Sequence, residues 1–180
     1  MGTIAPPDPV KSIFGVLYRE REIWEQAMKR IETHFGPIDF ISEEFPFVET
    51  DYYDDEMGKE LTRRYLSLET LMPPDQLTHR KQLSNLWEEQ FAQDGKRRIN
   101  LDPGYLTPAS LILASTKNFF QRVYIGRGIY AEVTMHYARG DFHKLLWTYP
   151  DYYNHKDVFQ QIRVRFRQQL KALYIDKSNE

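Results

Sequence analysis

The sequence predicts a single α+β domain: a ferredoxin-like β-α-β-β-α-β unit extended by a buried helix, a β-hairpin and a C-terminal helix. The order of strand-like and helical patterns along residues 12–101 predicts the unit. The chain has 180 residues, 41% of them hydrophobic and 14% aromatic, which is enough for one core. It contains no cysteine, which excludes a disulfide scaffold, a thiolate zinc site and a cysteine nucleophile.

The elements of the unit follow from local patterns. Short apolar or alternating runs predict strands, and apolar stripes at helical spacing, each followed by a glycine, predict helices. In chain order we expect a strand at Ser12–Tyr18, a helix at Arg19–Phe35, strands at Ile38–Val48 and Leu61–Leu71, a helix from Pro73 to about Asp94 and a strand at Arg97–Leu101.

The rest of the chain has a different pattern. Pro103 and Gly104 occupy the central positions of a predicted type II turn, Asp102–Tyr105. Thr107-Pro108 is a typical helix start. The further predictions are a buried helix at Thr107–Lys117, a hairpin of Gln121–Tyr137 and Phe142–Thr148 turning at Arg139–Asp141, and a last helix at Lys156–Tyr174. Three prolines stiffen the start, so we expect an extended leader at 1–11 and the domain at 12–176.

The net charge of −2 conceals a strong asymmetry. Residues 1–90 hold 10 basic and 18 acidic side chains, a net of −8, whereas residues 91–180 hold 14 basic and 8 acidic ones, a net of +6. One interpretation is that the halves attract each other, within one fold or across a homodimer. The other is a basic face for an anionic ligand, since phosphate is bound by converging guanidinium groups.

No targeting or membrane signal is present. Residues 1–9 lack the basic start and the apolar run of a signal peptide, and no apolar stretch approaches the roughly 18 residues that span a bilayer. We expect a cytoplasmic protein that does not enter a membrane. Nucleic-acid binding is not expected either, because Arg163 and Arg167 of the last helix flank its apolar stripe and can cover it.

The densest polar cluster is the acidic loop Asp51–Gly58. Carboxylates are ligands that Mg²⁺ prefers, so Asp54, Asp55 and Glu56 are candidate metal ligands, with Mg²⁺ as the candidate cofactor. The spacing is not that of a calcium-binding hand. The alternative is a solvated turn, or a partner for the arginines of the second half.

Two further strings predict a polar pocket. In the first, Arg98, Asn100 and Asp102 alternate with apolar residues and share one strand face, and Tyr105 follows them. In the second, Arg127 lies between two glycines, and Tyr130 and Glu132 lie on the polar face of the strand that follows. The alternative for the first string is an ordinary ion pair on a solvated face.

Five strings carry a family resemblance and together cover most of residues 12–153. They are Gly36–Phe40, Asp51–Gly58, Asn100–Leu106, Gly126–Val133 and Trp147–Tyr152. In these strings the chain resembles an uncharacterised bacterial family, domain-of-unknown-function family 4416, some members of which carry the label "GTP-binding protein". The resemblance implies no established activity and no catalytic residues. A conventional GTPase is not supported, because Glu60 follows Gly58-Lys59 where a P-loop needs Ser or Thr.

Three hypotheses of function follow, and the sequence leaves open whether the protein is an enzyme. The first is a pocket for a phosphate-bearing small molecule or nucleotide, in which arginines hold the phosphate and carboxylates orient the rest. Its candidate ligand-binding residues are Arg98, Asn100, Asp102, Tyr105, Arg127, Tyr130 and Glu132. The second is a Mg²⁺-dependent enzyme acting on a phosphorylated substrate. The third is a non-catalytic interaction module that uses a tyrosine-rich acidic surface.

Overall fold

The computed structural model describes residues 2–177 as one antiparallel sheet with helices on both faces. The strands are β1 (Lys11–Tyr18), β2 (Ile38–Ile41), β3 (Phe45–Pro46), β4 (Thr62–Leu68), β5 (Ile99–Leu106), β6 (Ser110–Ser115), β7 (Val123–Gly126), β8 (Ile129–Ala138) and β9 (Asp141–Lys144). The helices are α1 (Arg21–Phe35), α2 (Asp54–Met57), α3 (Leu77–Phe91), α4 (Pro150–Asn154) and α5 (Lys156–Lys177).

The first part of the sheet has the predicted ferredoxin-like arrangement. Its strand order is β2-β4-β1-β5, and β1 pairs antiparallel with both β4 and β5. Helix α1 connects β1 to β2, and α3 connects β4 to β5, so β1 lies between two strands that run parallel to each other. This confirms the α+β class and the split β-α-β-β-α-β unit.

Successive side chains of β1 point to opposite faces of the sheet, and the core therefore has two layers. Phe14 and Val16 pack with α1 and α3 in one hydrophobic cluster. Ile13 packs on the opposite face in a second cluster, which contains Phe159 and Phe166 of α5. Because both faces of the sheet are covered, all eight residues of β1 are buried.

A buried polar contact also ties α5 to the sheet. Lys11 of β1 is fully buried, and its ammonium group is held by Asp39 of β2 and donates to Gln169 Oε1 of α5 at 2.8 Å. Desolvation lowers the pKa of Lys11, although Asp39 opposes this effect. The start of β1, the edge strand β2 and the C-terminal half of α5 are thereby held together.

The second part of the chain differs from the sequence prediction. The buried helix expected at Thr107–Lys117 is wrong: this segment contains strand β6, which pairs with β5 and β8. Its run Leu111–Ala114 is apolar on both faces because helices cover both sides of the sheet, and a short run of this kind fits a buried helix equally well.

The type II turn expected at Asp102–Tyr105 is also wrong, because these residues lie inside β5. Gly104 serves a different purpose there. A Cβ atom at this position would lie 2.4 Å from the carbonyl oxygen of Ile112 on β6. The glycine therefore permits close pairing of β5 and β6.

The hairpin prediction is partly correct. Its turn at residues 139–140 joins β8 to β9, but the single first strand expected at Gln121–Tyr137 is divided into β7 and β8. The division lies at Gly126-Arg127-Gly128, where all three residues have positive φ. The strand expected at Ile38–Val48 is likewise divided, into β2 and β3. The short helix α4 was not predicted.

Residues 2–9 have no regular secondary structure, and Met1 of the predicted leader lies outside the described residues. Val10 forms an isolated bridge with Met72. Within residues 2–177, no helix is long and apolar enough to cross a membrane.

Gly15 of β1 provides a test of how α4 packs on the sheet. A Cβ atom at Gly15 would lie 2.0 Å from the hydroxyl oxygen of Tyr152 and 2.9 Å from its Cζ. We expect Gly15→Ala to lower the free energy of unfolding by about 1–3 kcal/mol, because the added methyl group overpacks this contact. Urea denaturation of the two proteins measures the difference.

The same substitution in a Tyr152→Leu background is the control. Removing the ring removes the clash, so Gly15→Ala should then cost less. An equal cost in both backgrounds would show that the ring is not what excludes a side chain at this position.

Candidate functional site

A buried arginine joins three elements at the centre of the molecule. Arg63 of β4 is only 3% exposed, and its Nη1 lies 3.4 Å from Asp102 Oδ2 on β5. Its Nε lies 2.9 Å from Asp151 Oδ2 on α4, an ion pair without hydrogen-bond alignment. The guanidinium carbon also lies 5.6 Å from the ring centroid of Tyr152. Arg63 thus has two carboxylate partners and an aromatic neighbour.

A cavity of about 390 Å³ is lined by Arg63, and we call it the tyrosine cavity. Four tyrosines contribute to its walls, namely Tyr52, Tyr53, Tyr149 and Tyr152. Its charged lining is balanced: the cations are Arg63, Lys81, Lys117 and Arg122, and the carboxylates are Glu49, Asp102, Glu132 and Asp151. The volume is that of a small-molecule site.

One wall of the tyrosine cavity is organised around Asp102. Asn100 Nδ2 donates to Asp102 Oδ2 at 2.7 Å, and Asn100 Oδ1 accepts from Arg97 Nη1 at 2.9 Å. Lys81 of α3 donates to the carbonyl oxygen of Leu101 at 3.0 Å, and its Nζ lies 3.9 Å from Asp102 Oδ1. Asp102 is therefore close to two cationic groups and one amide.

The opposite wall is organised around Glu132. Glu132 of β8 is 3% exposed, and its Oε2 accepts from Arg122 Nε at 2.7 Å and from Gln121 Nε2 at 3.2 Å. Arg122 also donates to the hydroxyl of Tyr149 at 2.7 Å and to the carbonyl oxygen of Lys117 at 3.0 Å. This network fixes the positions of Glu132 and Tyr149.

A β-bulge in β8 determines which residues share the face of Glu132. Leu111 pairs with Met135, but the next residue of β6, Ile112, pairs with Val133, so Thr134 is the extra residue. Without a bulge, Val133 and Met135 would lie on the same face of the strand, because they are two residues apart. Instead Met135 is buried and Val133 is 39% exposed.

The hydroxyls of Tyr53, Tyr149 and Tyr152 are donors at neutral pH. Desolvation raises the pKa of Tyr149 to about 12, and the charge of Glu132 adds to the effect. Desolvation also raises the pKa of Tyr53 and of Tyr152. The Tyr152 hydroxyl is buried and has no hydrogen-bond partner within residues 2–177. A buried hydroxyl of this kind is normally satisfied, so a ligand or a water is its expected partner.

Lys117 is the one cation of the lining without a carboxylate partner in the described chain. Arg63, Lys81 and Arg122 each lie within 4.0 Å of a carboxylate oxygen. The Lys117 ammonium instead donates to the hydroxyl of Tyr52 at 2.8 Å and lies 4.8 Å from the centroid of that ring. It remains available for an anionic group.

The structure brings some of the candidate residues together and separates others. Asp102 and Glu132 line the tyrosine cavity, and Asn100 is hydrogen-bonded to Asp102. Tyr105 contributes to a cluster with Leu77 on the side of α3. Tyr130 packs against the ring of Tyr124, with 5.3 Å between centroids.

Arg98 lies in a separate groove of about 460 Å³ with Asp54, Asp55 and Glu56. Its guanidinium group pairs with Glu20. Glu56 accepts two hydrogen bonds of 2.6 Å from Arg97, which lowers the pKa of its carboxyl. Within residues 2–177 no group of three His, Cys, Asp or Glu side chains could hold a metal ion. The assignment of Asp54, Asp55 and Glu56 as Mg²⁺ ligands therefore stays a prediction.

Arg127 lies at the turn between β7 and β8. It lines another cavity, of about 670 Å³, which shares no lining residue with the tyrosine cavity. The candidate arginines Arg98 and Arg127 therefore do not converge with Asp102 and Glu132. The cations that do converge are Arg63, Lys81, Lys117 and Arg122.

The sequence analysis does not identify Arg63 as a residue of the site, although the pattern of its neighbours indicates a buried arginine. Arg63 alternates with Leu61 and Tyr65 on one face of a predicted strand, and all three are buried. An arginine between two apolar residues of the same face indicates a buried ion pair. Arg122 and Lys117 lie on irregular chain between strands and give no such signal.

Arg63→Met tests whether the ion pairs of the site stabilise the fold. We expect it to lower the free energy of unfolding by about 3–5 kcal/mol, because the buried Asp151 and the half-buried Asp102 would lose their shared cation. Urea denaturation followed by tryptophan fluorescence provides the measurement.

Two companion variants complete this test. Arg21→Met removes an exposed pair with Glu25 and should cost far less than Arg63→Met. Adding Asp151→Asn to Arg63→Met should restore part of the loss, because one unpaired charge is removed. If Arg63→Met costs no more than Arg21→Met, the pairs of Arg63 do not support the fold.

Comparison with known proteins identifies a family but no characterised relative. No curated protein and no solved structure matches the chain significantly. A family model described as Domain of unknown function (DUF4416) matches residues 8–166, which include all the strands described above and the first half of α5. The chain therefore belongs to this family, DUF4416.

Proposed function

We propose that the tyrosine cavity binds a phosphate-bearing small molecule, with a nucleotide as the class of ligand. The observation that carries the proposal is a cavity of about 390 Å³ that combines aromatic walls, the buried carboxylates Glu132 and Asp151, and Lys117, a cation without a carboxylate partner in the described chain. Cavities of roughly 300–1,000 Å³ accommodate ligands of this size.

The aromatic walls suit the base of such a ligand. Tyr52 and Tyr53 pack edge to face, with 5.0 Å between their centroids, and Phe47 packs against Tyr53 at 5.8 Å. Stacking of a base on a ring of this kind contributes about 1–3 kcal/mol. A flat aromatic group placed against the free face of one of these rings would gain such a contact.

The polar groups suit a sugar and a phosphate. Asp102 and Glu132 are hydrogen-bond acceptors for hydroxyl or amino groups, and the raised pKa of Tyr149 keeps its hydroxyl a donor. Lys117, which has no carboxylate partner in the described chain, is the group that supports a phosphate contact. This assignment keeps the predicted carboxylates and replaces the predicted arginines with Lys117.

The other two hypotheses receive less support. Of the four tyrosines that line the cavity, Tyr152 is buried and Tyr53 is half-buried, so neither presents its ring to a protein partner. Glu56, one of the three proposed Mg²⁺ ligands, is engaged by Arg97. The proposal is therefore a binding function, to which we add no reaction.

A thermal-shift panel of nucleotides, the corresponding nucleosides and phosphorylated sugars, each with and without Mg²⁺, tests the proposal. We expect at least one nucleotide to raise the melting temperature, because a ligand that binds only the folded state stabilises it. If no compound at millimolar concentration does so, the proposal is wrong.

Lys117→Met tests the assigned phosphate contact. It should weaken nucleotide binding about tenfold or more, because a charge-assisted hydrogen bond contributes roughly 1.5–3 kcal/mol. Binding of the matching nucleoside, measured by calorimetry, should not change. Lys171→Met, at an exposed position of α5, is the matched control and should change neither affinity. Equal nucleotide affinities of all three proteins would contradict the role of Lys117.

A further inference from the structure

A second cavity lies beside the first turn of α3, and we call it the arginine cavity. Its volume is about 670 Å³, and it shares no lining residue with the tyrosine cavity. The residues of its lining that bear on its chemistry are Arg80, Arg127, His34, His79, Phe35 and Asp75. Two arginines thus line a space that contains a single carboxylate.

Arg80 is the unusual group of this cavity. It lies in the first turns of α3 and is only 3% exposed. Its Nε and Nη1 atoms are buried and have no hydrogen-bond partner among residues 2–177, and no carboxylate lies within ion-pair distance. Desolvation lowers the pKa of Arg80 to about 10, and no acidic group opposes the effect.

A buried guanidinium group without a counter-ion is energetically unfavourable, because charged groups are almost never buried without partners. Arg63, which is also 3% exposed, has such partners and lies between two carboxylates. The missing partner of Arg80 is therefore expected to come from outside the chain.

The surroundings of Arg80 orient its donors. The guanidinium carbon lies 4.2 Å from the ring centroid of Phe35, so the face of the planar group is occupied. A guanidinium group stacked in this way keeps the N–H bonds at its edge free for an oxyanion, which it binds through two parallel hydrogen bonds.

Other groups of the cavity add positive charge. Arg127 is exposed at the turn between β7 and β8, and its side chain has no partner in the described part of the chain. Helix α3 begins at Leu77, and Gln76, Thr78 and His79 line the cavity, so the positive end of the helix lies beside it. Asp75 is the opposing carboxylate.

We propose that the arginine cavity binds a phosphate group, held by the edge of Arg80 and by Arg127. The two guanidinium charges match the charge of about −1.5 to −2 that a phosphate monoester carries at pH 7. The source is either inorganic phosphate or the phosphate ester of a small metabolite, and both present the same oxygens. This site does not depend on the function proposed for the tyrosine cavity.

Calorimetry with inorganic phosphate, glycerol phosphate and acetate tests the site and its source. We expect both phosphates to bind and acetate to bind more weakly, because it carries one charge. A higher affinity for the ester identifies a metabolite, and a higher affinity for inorganic phosphate identifies the free ion. Absence of phosphate binding, or tighter binding of acetate, would overturn the proposal.

Arg80→Met and Arg127→Gln test the two assigned contacts. Each should raise the Kd of inorganic phosphate about tenfold or more, because each removes a charge-assisted hydrogen bond. Arg30→Met is the matched control: Arg30 also stacks on a phenylalanine, with its guanidinium carbon 4.4 Å from the ring centroid of Phe91, but it does not line the cavity. It should leave the Kd unchanged.

The melting temperature without ligand separates a binding role of Arg80 from a structural one. Arg80→Met should raise it, because an unpaired buried charge is replaced by an apolar side chain. A lower melting temperature together with unchanged phosphate affinity would assign Arg80 to packing alone and reject the site. Arg127→Gln, at an exposed position, keeps the test valid if Arg80→Met does not fold.

The two proposals can be refuted independently, because each depends on a different residue. Lys117→Met should leave binding of inorganic phosphate unchanged, and Arg80→Met should leave the nucleotide-dependent shift unchanged. If Arg80→Met removes the nucleotide shift and Lys117→Met keeps it, the nucleotide belongs in the arginine cavity. That result would reject the function proposed for the tyrosine cavity and support the phosphate site.

Discussion

The ion pairs of Arg63 are the interaction on which the rest of the structure depends. Arg63 belongs to β4, and its two partners belong to β5 and to α4, so one buried cation joins the sheet to the segment that leads into α5. The next residue of α4, Tyr152, packs against Gly15 of β1. The position of α4 therefore determines both the shape of the tyrosine cavity and the path of α5 over the second face of the sheet.

Part of the charge asymmetry of the sequence is compensated inside the molecule. Arg97 of the basic half pairs with Glu56 of the acidic half, and Arg98 pairs with Glu20. These contacts support the interpretation that the two halves attract each other within one fold. Arg80 and Lys117 are exceptions, and each lines a cavity.

How far the sequence predicts the fold depends on how local the signals are. The β-α-β-β-α-β unit was predicted because apolar periodicity and glycine stops specify each of its elements. Strand β6 was mistaken for a helix because a run that is apolar on both faces has no period. Pro103 and Gly104 indicated a turn, although Gly104 is required by the neighbouring strand. A requirement that a neighbouring strand imposes on one residue does not change the apolar periodicity of the segment that contains it.

The residues of the candidate site also fall into two groups, those that the sequence predicts and those that it does not. Asp102 and Glu132 were found because they alternate with apolar residues along strands. The convergence of Lys117 and Arg122 depends on the path of irregular chain, and the face of Met135 depends on a bulge, so neither follows from spacing. Arg98 and Arg127 lie on strand ends that the topology directs to different regions.

The complete burial of β1 has a consequence for the dynamics of the protein. Each of its eight residues is covered on both faces, and it is paired with β4 on one side and β5 on the other. No local opening that leaves the helices and both neighbouring strands in place can expose its backbone to solvent. Its amide hydrogens should therefore exchange only when the whole domain unfolds, and their exchange rates report the global free energy of unfolding.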